Sequence, residues 1–337
     1  MYSSLKSARK QSVMKKQQIS SYAAWKPSKP ISRGAQAYHQ AVTYASWHID
    51  NMAEMIRLVE RRVRTDDIVV DFGAGTGSST IYIIRDIPRK FFLFLVDNSP
   101  SWLGNAYSIF HTNPNVRCLL LEKNQDQYQT LDELMGRNSV NHVLSANTVH
   151  LIPNIADAFE GIYRALKEGG TFTFQSGNIS RQGREKGVLM IDDSVERIHD
   201  IAISIIRRDN RYKHYQKDLN KRMQVMREQR KFVFPDPRPL NYYVEILKKI
   251  GFRNIRISHK KIKVSYKDWL SFLRVGRLQA GILPEIGGIK LTAKEEHDRD
   301  EIITKASHLL FDELKKHNAL ANHKSFTTEW VYVQSQK

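Results

Sequence analysis

The feature that most constrains the fold is a glycine-rich turn between a short apolar strand and a helix. It occupies residues 69–77 and reads VVDFGAGTG. Three glycines, Gly73, Gly75 and Gly77, allow the backbone to turn sharply and a ligand to approach with no Cβ in the way. The free N–H groups of the following helix point into the crevice at the strand ends, where open α/β sheets bind ligands. The turn therefore predicts a ligand-binding α/β protein.

Strands and helices alternate on both sides of this turn. Apolar runs predict strands at 68–72, 91–97, 116–122, 142–146, 171–175, 255–264 and 328–333. Helical spacing predicts helices at 78–85, 101–110, 155–166, 242–250, 266–278 and 295–316, with Gly169 and Gly170 ending the third of them. Such alternation predicts a Rossmann-like α/β fold, with a mainly parallel seven-stranded sheet and helices on both faces.

Three further segments divide the chain. Residues 1–33 carry eight Lys/Arg and no acid, which predicts a basic flexible tail; a mitochondrial presequence has a similar composition. Residues 34–64 predict a helical lid, and its Tyr38, His39, Tyr44 and Trp47 are candidates to wall a pocket. Residues 65–337 then form one domain, with a helical cap inserted after strand five at about 180–236.

Composition limits the partners and the compartment. The net charge of +18 favours anionic partners, which include nucleic acid, acidic lipid, an acidic protein or an anionic small molecule. The single cysteine, Cys118, rules out an internal disulfide and a cysteine zinc site, so we expect a reducing, cytoplasmic setting. The longest apolar runs have strand length, which predicts no transmembrane segment. The histidines are scattered, and we predict no metal site.

The predicted strand after the glycine turn, residues 91–97, narrows the class of ligand that the turn could bind. It ends in Asp97, twenty residues past Gly77, where a carboxylate can accept hydrogen bonds from both ribose hydroxyls of an adenosine. A dinucleotide fingerprint would need glycine at position 78, where Ser78 stands. A Walker A loop would need Gly-Lys-Ser/Thr, which is absent.

The segment 71–77 resembles motif I of the class I SAM-dependent methyltransferases. Residues 96–97, 143–150, 164–170 and 247–252 resemble later motifs of that family, in the family's order. The overall style is similar to small-molecule methyltransferases, namely the trans-aconitate and juvenile-hormone-acid carboxyl O-methyltransferases and the ubiquinone/menaquinone type. The resemblance implies S-adenosyl-L-methionine (SAM) as the cofactor.

The resemblance also implies a set of cofactor-binding residues at the carboxyl ends of strands one to four. The set is Asp71, Gly73, Ala74, Gly75, Gly77, Asp97, Asn98, Asn124, Gln125, Asn147 and Thr148.

Each strand end has its own implied role. The first places Asp71 near the methionine ammonium and the glycines against methionine and adenosine; the second places Asp97 on the ribose and Asn98 near the adenine. At the third, Asn124, with Gln125 next, would meet the adenine amine in place of the commoner aspartate. At the fourth, Asn147 and Thr148 would border the sulfonium. The acid expected before strand four is replaced by Asn141 or His142.

The acceptor is less constrained than the cofactor. Methyl transfer needs alignment of donor and acceptor, and it needs a base only where the acceptor must lose a proton. His150, after strand four, is the candidate base. We expect a small, anionic or carrier-bound organic acceptor, with O-methylation favoured over N- or C-methylation. Basic residues of the cap could meet the anion or an acidic carrier protein.

Two other functions stay open. One is an RNA or protein methyltransferase that docks through the basic tail and a second basic stretch, residues 248–267. The other is a non-catalytic binding module, against which the intact glycine turn and Asp97 argue. The oligomeric state is not predicted.

Overall fold

The computed structural model describes residues 24–288 and 290–337, so most of the predicted basic tail lies outside the described residues. The seven strands of the main sheet are β1 (Ile68–Phe72), β2 (Phe92–Asp97), β3 (Val116–Leu120), β4 (Val140–Ala146), β5 (Leu166–Ser176), β6 (Arg253–Ser265) and β7 (Ser325–Gln336). Their order across the sheet is β3-β2-β1-β4-β5-β7-β6. Strands β1 to β5 run parallel, and β7 is antiparallel to both of its neighbours. The predicted mainly parallel seven-stranded sheet is confirmed.

Helices cover both faces of the sheet. In the described residues they are α1 (Arg33–Thr43), α2 (Ser46–Val59), α3 (Ser78–Asp86), α4 (Pro100–Phe110), α5 (Leu131–Met135), α6 (Ile155–Ala165), α7 (Ile191–Arg208), α8 (Lys213–Gln216), α9 (Leu219–Val233), α10 (Leu240–Ile250), α11 (Tyr266–Leu273), α12 (Gly276–Ile282) and α13 (Ala293–His317). None of these helices is both long and apolar enough to cross a membrane.

Side chains alternate between two cores, as strand geometry requires. On β1, Val69 packs into one core and Val70 into the other. On β5, Phe172 and Phe174 join the core of Val70, which leaves Thr173 and Gln175 on the face of Val69. That face is covered by α1, α2 and α3, whose buried residues belong to the same core.

The sequence analysis predicted that Gly169 and Gly170 end α6, and this prediction is wrong. The helix ends at Ala165 and β5 begins directly at Leu166, so Gly169 and Gly170 lie inside the strand. The pairing of β5 with β4 shifts register here, and Gly169 has φ +77°. The glycines therefore form a strand irregularity, in which a positive φ is needed, and not a helix end.

The segment predicted as a helical lid contains two helices. Helix α1 ends at Thr43 and α2 begins at Ser46, while Tyr44, at the break, is 75% exposed and walls no pocket. Part of the predicted tail also contacts the domain, because the Trp25 backbone N–H donates to the Cys118 carbonyl of edge strand β3.

A helical layer, here called the cap, is built from two insertions. Helices α7 to α9 follow β5, and α11 to α13 join β6 to β7. Buried polar pairs bind the two together: His199 and Glu285 approach to 3.1 Å, and the Tyr215 hydroxyl donates to Asp298 at 2.8 Å. The sequence analysis assigned only the first insertion to the cap.

One buried ion pair holds the first insertion to β7, and its loss should be measurable. Arg181 donates to both carboxylate oxygens of Glu329 at 2.7 Å, and the Glu329 side chain is only 2% exposed. Arg181→Ala leaves that carboxylate buried without its cation, so we expect a loss of about 2 kcal/mol in the free energy of unfolding. Arg57→Ala, which breaks a surface pair with Glu54, should change it little. Denaturant unfolding of both variants tests this, and equal losses would contradict it.

Candidate functional site

The glycine turn follows β1 with a left-handed backbone at each glycine. Gly73, Gly75 and Gly77 have φ of +75°, +54° and +80°. A Cβ on Gly73 would lie 2.1 Å from Thr148 Cγ2, and one on Gly77 would lie 2.7 Å from Phe110 Cε2. The first and third glycines are therefore required by packing, and the turn they permit leads into the N-terminus of α3.

Asp97 ties the second glycine to the end of β2. Its Oδ2 accepts from the Gly75 N–H at 2.8 Å, and its Oδ1 accepts from the Ser99 N–H at 2.8 Å. Burial raises the pKa of this carboxyl, and the two backbone hydrogen bonds oppose that rise. Each carboxylate oxygen keeps a further lone pair for a ligand hydroxyl.

Asp71, at the end of β1, is fully buried. The Thr80 hydroxyl donates to its Oδ2 at 2.6 Å, while Oδ1 has no hydrogen-bond partner among the described residues. Burial raises the pKa of Asp71 to about 7; the Thr80 hydrogen bond opposes this rise, and the charge of Asp97 adds to it. An unpartnered carboxylate oxygen in the interior is suited to a cationic ligand group.

The end of β4 brings a second unpartnered oxygen to the crevice. Asn147 has φ +51°, its N–H donates to the Gln175 carbonyl at 2.9 Å, and its buried Oδ1 has no partner in the described chain. Thr148 packs over the glycine turn, with Oγ1 3.1 Å from the Gly73 carbonyl oxygen and 3.0 Å from that of Ala146. Asn147 thus offers a polar atom to a ligand, whereas Thr148 supports the turn.

Side chains from three helices close over the glycine turn, and the sequence analysis missed two of them, Trp102 and Arg277. The Trp102 ring edge lies 3.3 Å from the position of a Cβ on Gly75. The ring of Tyr38, from α1, is 4.5 Å away between centroids, and the guanidinium of Arg277, from α12, lies 4.8 Å from the Trp102 centroid. Trp102 is on the first turn of the helix after Asp97, a position from which the sequence could have predicted it. Arg277 is 180 residues away from Asp97 in sequence and gave no such signal.

The lid also contacts the turn through His39. Its Nδ1 lies 3.4 Å from Thr76 Oγ1, and burial lowers the pKa of His39. Of the four predicted lid residues, Tyr38 and His39 thus contact the turn or the ring that covers it. Trp47 is 2% exposed and packs on Trp330 in the core.

The structure places Asn124 and Gln125 beyond the end of β3, and their contact with the adenine stays a prediction. Strand β3 ends at Leu120, two residues earlier than predicted, and the Leu121 N–H already donates to the Asp97 carbonyl. Asn124 lies beyond it in an exposed two-residue strand that pairs with Gln127, and Gln125 forms the tight turn with φ +54°. Neither residue lies at the strand end where an adenine contact was expected.

His150 stays a prediction, and its contacts favour a structural role. Its Nδ1 lies 2.9 Å from Ser176 Oγ. Ser176 comes two residues after Phe174, so it lies on the same sheet face as Phe174, opposite to Asp71. Burial lowers the pKa of His150 to about 3, with a smaller contribution from Arg238. An imidazole so weakly basic is a poor proton acceptor.

The residues that replace the expected acid hold the sheet together. Asn141 Oδ1 accepts from the Ile68 N–H at 3.0 Å, at the start of β1. His142 lies between Thr171 Oγ1, at 2.8 Å, and Asp67 Oδ2, at 3.2 Å. Asn98 is exposed beside Asp97.

The crevice therefore fits the cofactor that the motifs imply. Asp97 can bind a ribose, and the buried oxygens of Asp71 and Asn147 can accept from an ammonium group. No group of three metal-binding side chains lies within the residues that the structure describes.

Comparison with known proteins also identifies a methyltransferase domain. Residues 70–172 match the family model of a methyltransferase domain. Loganic acid methyltransferase with S-adenosylhomocysteine is similar over 90% of this chain and 95% of its own, at 12% identity and a TM-score of 0.51. Haemonchus contortus phosphoethanolamine N-methyltransferase 2 with SAM is 18% identical over 90% of this chain, at a TM-score of 0.49. The chain spans 56% of that enzyme's length.

No curated protein sequence matches this chain. At 12% identity the structure of loganic acid methyltransferase establishes the fold alone. Residues 70–172 carry a methyltransferase domain, and its glycine turn and Asp97 fit S-adenosylmethionine as the cofactor.

Proposed function

We propose that this methyltransferase acts on a small organic acceptor that carries a negative charge, by O-methylation. The observation that carries the proposal is a cluster of aromatic rings beside the cofactor site. Its rings come from the lid, from α11 and from β7, and they are Tyr38, Trp47, Trp269, Phe272 and Trp330.

The cluster supports a small organic acceptor because its buried apolar rings exclude water from the space next to the cofactor site. The Trp47 ring stacks on Trp330 with centroids 5.6 Å apart and meets Phe272 edge-on at 5.8 Å. A pocket with aromatic walls and few polar groups binds and orients a small organic molecule. Positive charge supports the anionic class: the net charge is +18, and Arg277 lies at the rim beside Trp102.

The residue chemistry supports an acceptor that needs no base. When bound, SAM supplies an electrophilic methyl group. Burial lowers the pKa of His48 to about 4 and also lowers that of His39, so both are weak bases at neutral pH. An acceptor oxygen that is already ionised can attack the methyl group without proton removal. The protein then needs only to align the two reactants and exclude water.

Transfer of labelled methyl from SAM in a cell extract tests the proposal, with the label sorted into small-molecule, protein and RNA fractions. We expect label in small molecules, and no label with Asp97→Ala. If the label appears on an acidic carrier protein and hydrolysis releases it in a small molecule, the acceptor is still a small molecule. Label in RNA or in protein side chains would contradict the proposal.

The second candidate, an RNA or protein methyltransferase, rests on one surface. Edge strand β6 exposes Arg253, Arg256 and Lys263 within the basic stretch 248–267. Such a surface can bind polyanions, and RNA binding through it would weaken steeply with salt. Exposed lysines also protect an edge strand from pairing with other chains, which is sufficient reason for them here.

The raised pKa of Asp71 gives a pH dependence for cofactor binding. The folded protein holds this proton up to about pH 7, whereas the unfolded carboxyl has a pKa of 3.8, so this group's contribution to stability falls as pH rises between those values. The ionised form is the one that can pair with an ammonium. We therefore expect SAM affinity to rise about tenfold per pH unit up to pH 7. Calorimetric titration tests this, and a slope unchanged in Asp71→Asn would contradict it.

A further inference from the structure

A threonine on the first turn of α3 reaches the buried carboxylate at the end of β1. Helix α3 begins at Ser78, directly after the glycine turn, so Thr80 is its third residue. Thr80 and Asp71 are both fully buried, and the Thr80 hydroxyl donates to Asp71 Oδ2 at 2.6 Å. The positive-φ glycines between them turn the chain from the strand into the helix. Two residues on different elements therefore form a hydrogen bond in the interior.

This hydrogen bond restricts the direction of the whole Asp71 carboxylate. The two oxygens of a carboxylate share one carbon and one plane, so holding one oxygen also limits where the other can lie. The other oxygen, Oδ1, is buried and has no partner in the part of the chain that the structure describes. Native proteins leave few buried acceptors in that condition, because each one is costly. Asp71 therefore presents Oδ1, in a fixed orientation, to a donor that the described chain does not supply.

The same hydrogen bond affects the charge of Asp71. Burial raises the pKa of this carboxyl to about 7, the hydrogen bond from Thr80 opposes the rise, and the charge of Asp97 adds to it. A hydroxyl that donates to a carboxylate oxygen stabilises the ionised form, because a charged acceptor makes the stronger hydrogen bond. Without this hydroxyl, Asp71 would keep its proton to a higher pH and would be less able to pair with a cation.

Within the described residues, Thr80 is the neighbour that stabilises a charge on Asp71. No lysine or arginine there forms an ion pair with this carboxylate; β2 presents Asp97, whose negative charge works against ionisation. The strand partners of Asp71 on β2 and β4 are leucines. The lid helices carry His39 and His48 over the turn, but burial lowers the pKa of both imidazoles, so both are neutral near pH 7. Ionisation of Asp71 at neutral pH therefore depends on the Thr80 hydroxyl.

We propose that Thr80 is a positioning residue for the cofactor, whose hydroxyl holds the Asp71 carboxylate with one oxygen free for the cofactor's ammonium group. Thr80 acts on the cofactor through Asp71. It therefore affects ligands that carry the ammonium group and leaves a ligand without that group unaffected. Because Thr80 acts on the side of the methyl donor, the proposal goes beyond the proposed function and does not depend on the acceptor.

Binding without turnover tests the role of Thr80. Calorimetry from pH 6 to pH 9 measures the affinities of S-adenosylhomocysteine, which carries the ammonium group, and of methylthioadenosine, which lacks the amino-acid end. Thr80→Val removes the hydroxyl at nearly constant size, and Thr80→Ser keeps it. Thr43→Val is the matched control, since Thr43 is also fully buried and its hydroxyl has no partner among the described residues.

We expect Thr80→Val to bind S-adenosylhomocysteine about tenfold less tightly than the wild type at pH 6. The ratio of the two affinities should fall toward one by pH 9, where Asp71 is ionised in both proteins. Both proteins are compared at the same pH, so titration of the ligand's own amino group cancels from this ratio. Thr80→Ser and Thr43→Val should follow the wild type, and methylthioadenosine should bind equally to all four proteins at every pH.

Three results would overturn the inference. A ratio that is the same at every pH, or an equal weakening for methylthioadenosine, would mean that Thr80 only supports the fold. Binding by Thr80→Ser that is as weak as that by Thr80→Val would mean that the hydroxyl is not the group that matters. If Thr80→Val fails to fold, Thr80→Ala also lacks the hydroxyl and gives the same comparison. None of these results bears on the acceptor, which the labelled products identify.

Discussion

Asp97→Ala should weaken SAM binding at least 100-fold, a loss of about 2.7 kcal/mol in binding free energy. The variant removes the ribose acceptor that the motifs imply, and it also releases the backbone N–H groups of Gly75 and Ser99, each held at 2.8 Å. Two hydrogen bonds to a charged group account for a loss of this size. Calorimetric titration with SAM measures it.

Two variants control this result. Asp97→Asn keeps one oxygen acceptor and should bind SAM with an intermediate affinity. Asp126→Ala removes an aspartate whose ion pair with Lys123 is a long 3.8 Å contact at the surface, and this variant should bind SAM normally. Wild-type affinity in Asp97→Ala would mean that this carboxylate does not hold the cofactor.

Among the Gly→Ala substitutions in the turn, Gly73→Ala should reduce stability and SAM binding the most. The added Cβ would lie within 2.7 Å of three Thr148 side-chain atoms, at a backbone φ of +75°. The left-handed backbone costs about 1–2 kcal/mol and the overlap about 1–3 kcal/mol more. We expect a stability loss of about 3 kcal/mol, together with loss of SAM binding, because the turn or Thr148 must move.

Gly136 offers a control that isolates the overlap. Its φ is +82°, close to that of Gly73, and nothing lies within 4 Å of a Cβ placed there. With ψ +157°, this backbone conformation is essentially confined to glycine, so Gly136→Ala should lose about 1–3 kcal/mol from the backbone alone and keep SAM affinity. Calorimetric titration of both variants with SAM measures the difference, and wild-type affinity in Gly73→Ala would show that Thr148 does not confine the turn.

The sheet could be predicted from sequence because its information is local. The apolar runs at 68–72 and 91–97 and the glycines between them specify a strand, a turn and a helix within thirty residues. Gly169 and Gly170 show the limit of such reasoning. A glycine pair after a helix is typical of a helix end, but here the sheet pairing of the next residues takes precedence, and the glycines form an irregularity inside β5.

The residues of the site likewise differ in whether the local sequence predicts their position. Asp71 and Asp97 lie at the carboxyl ends of their strands and Asn147 follows β4 directly, so the parallel sheet alone brings them to one edge. Asn124 was misplaced because β3 ends two residues early and the chain turns into a hairpin. Arg277 could not be predicted, since its place over Trp102 depends on how α12 lies against a helix far away in sequence.

The cap's two insertions determine how molecules enter and leave. One insertion leaves the sheet after β5 and returns at α10, and the other leaves after β6 and returns at β7. A layer held by four chain connections, and joined internally by the buried His199–Glu285 pair, has no single hinge about which to swing. The lid is held at both of its helices, because the Trp25 N–H donates to the Cys118 carbonyl just before α1, and the Ser46 N–H and hydroxyl donate to Asp268 of the cap at the start of α2. We therefore expect acceptor and product to pass where the lid meets the cap, at the exposed Ser46–Asp268 contact.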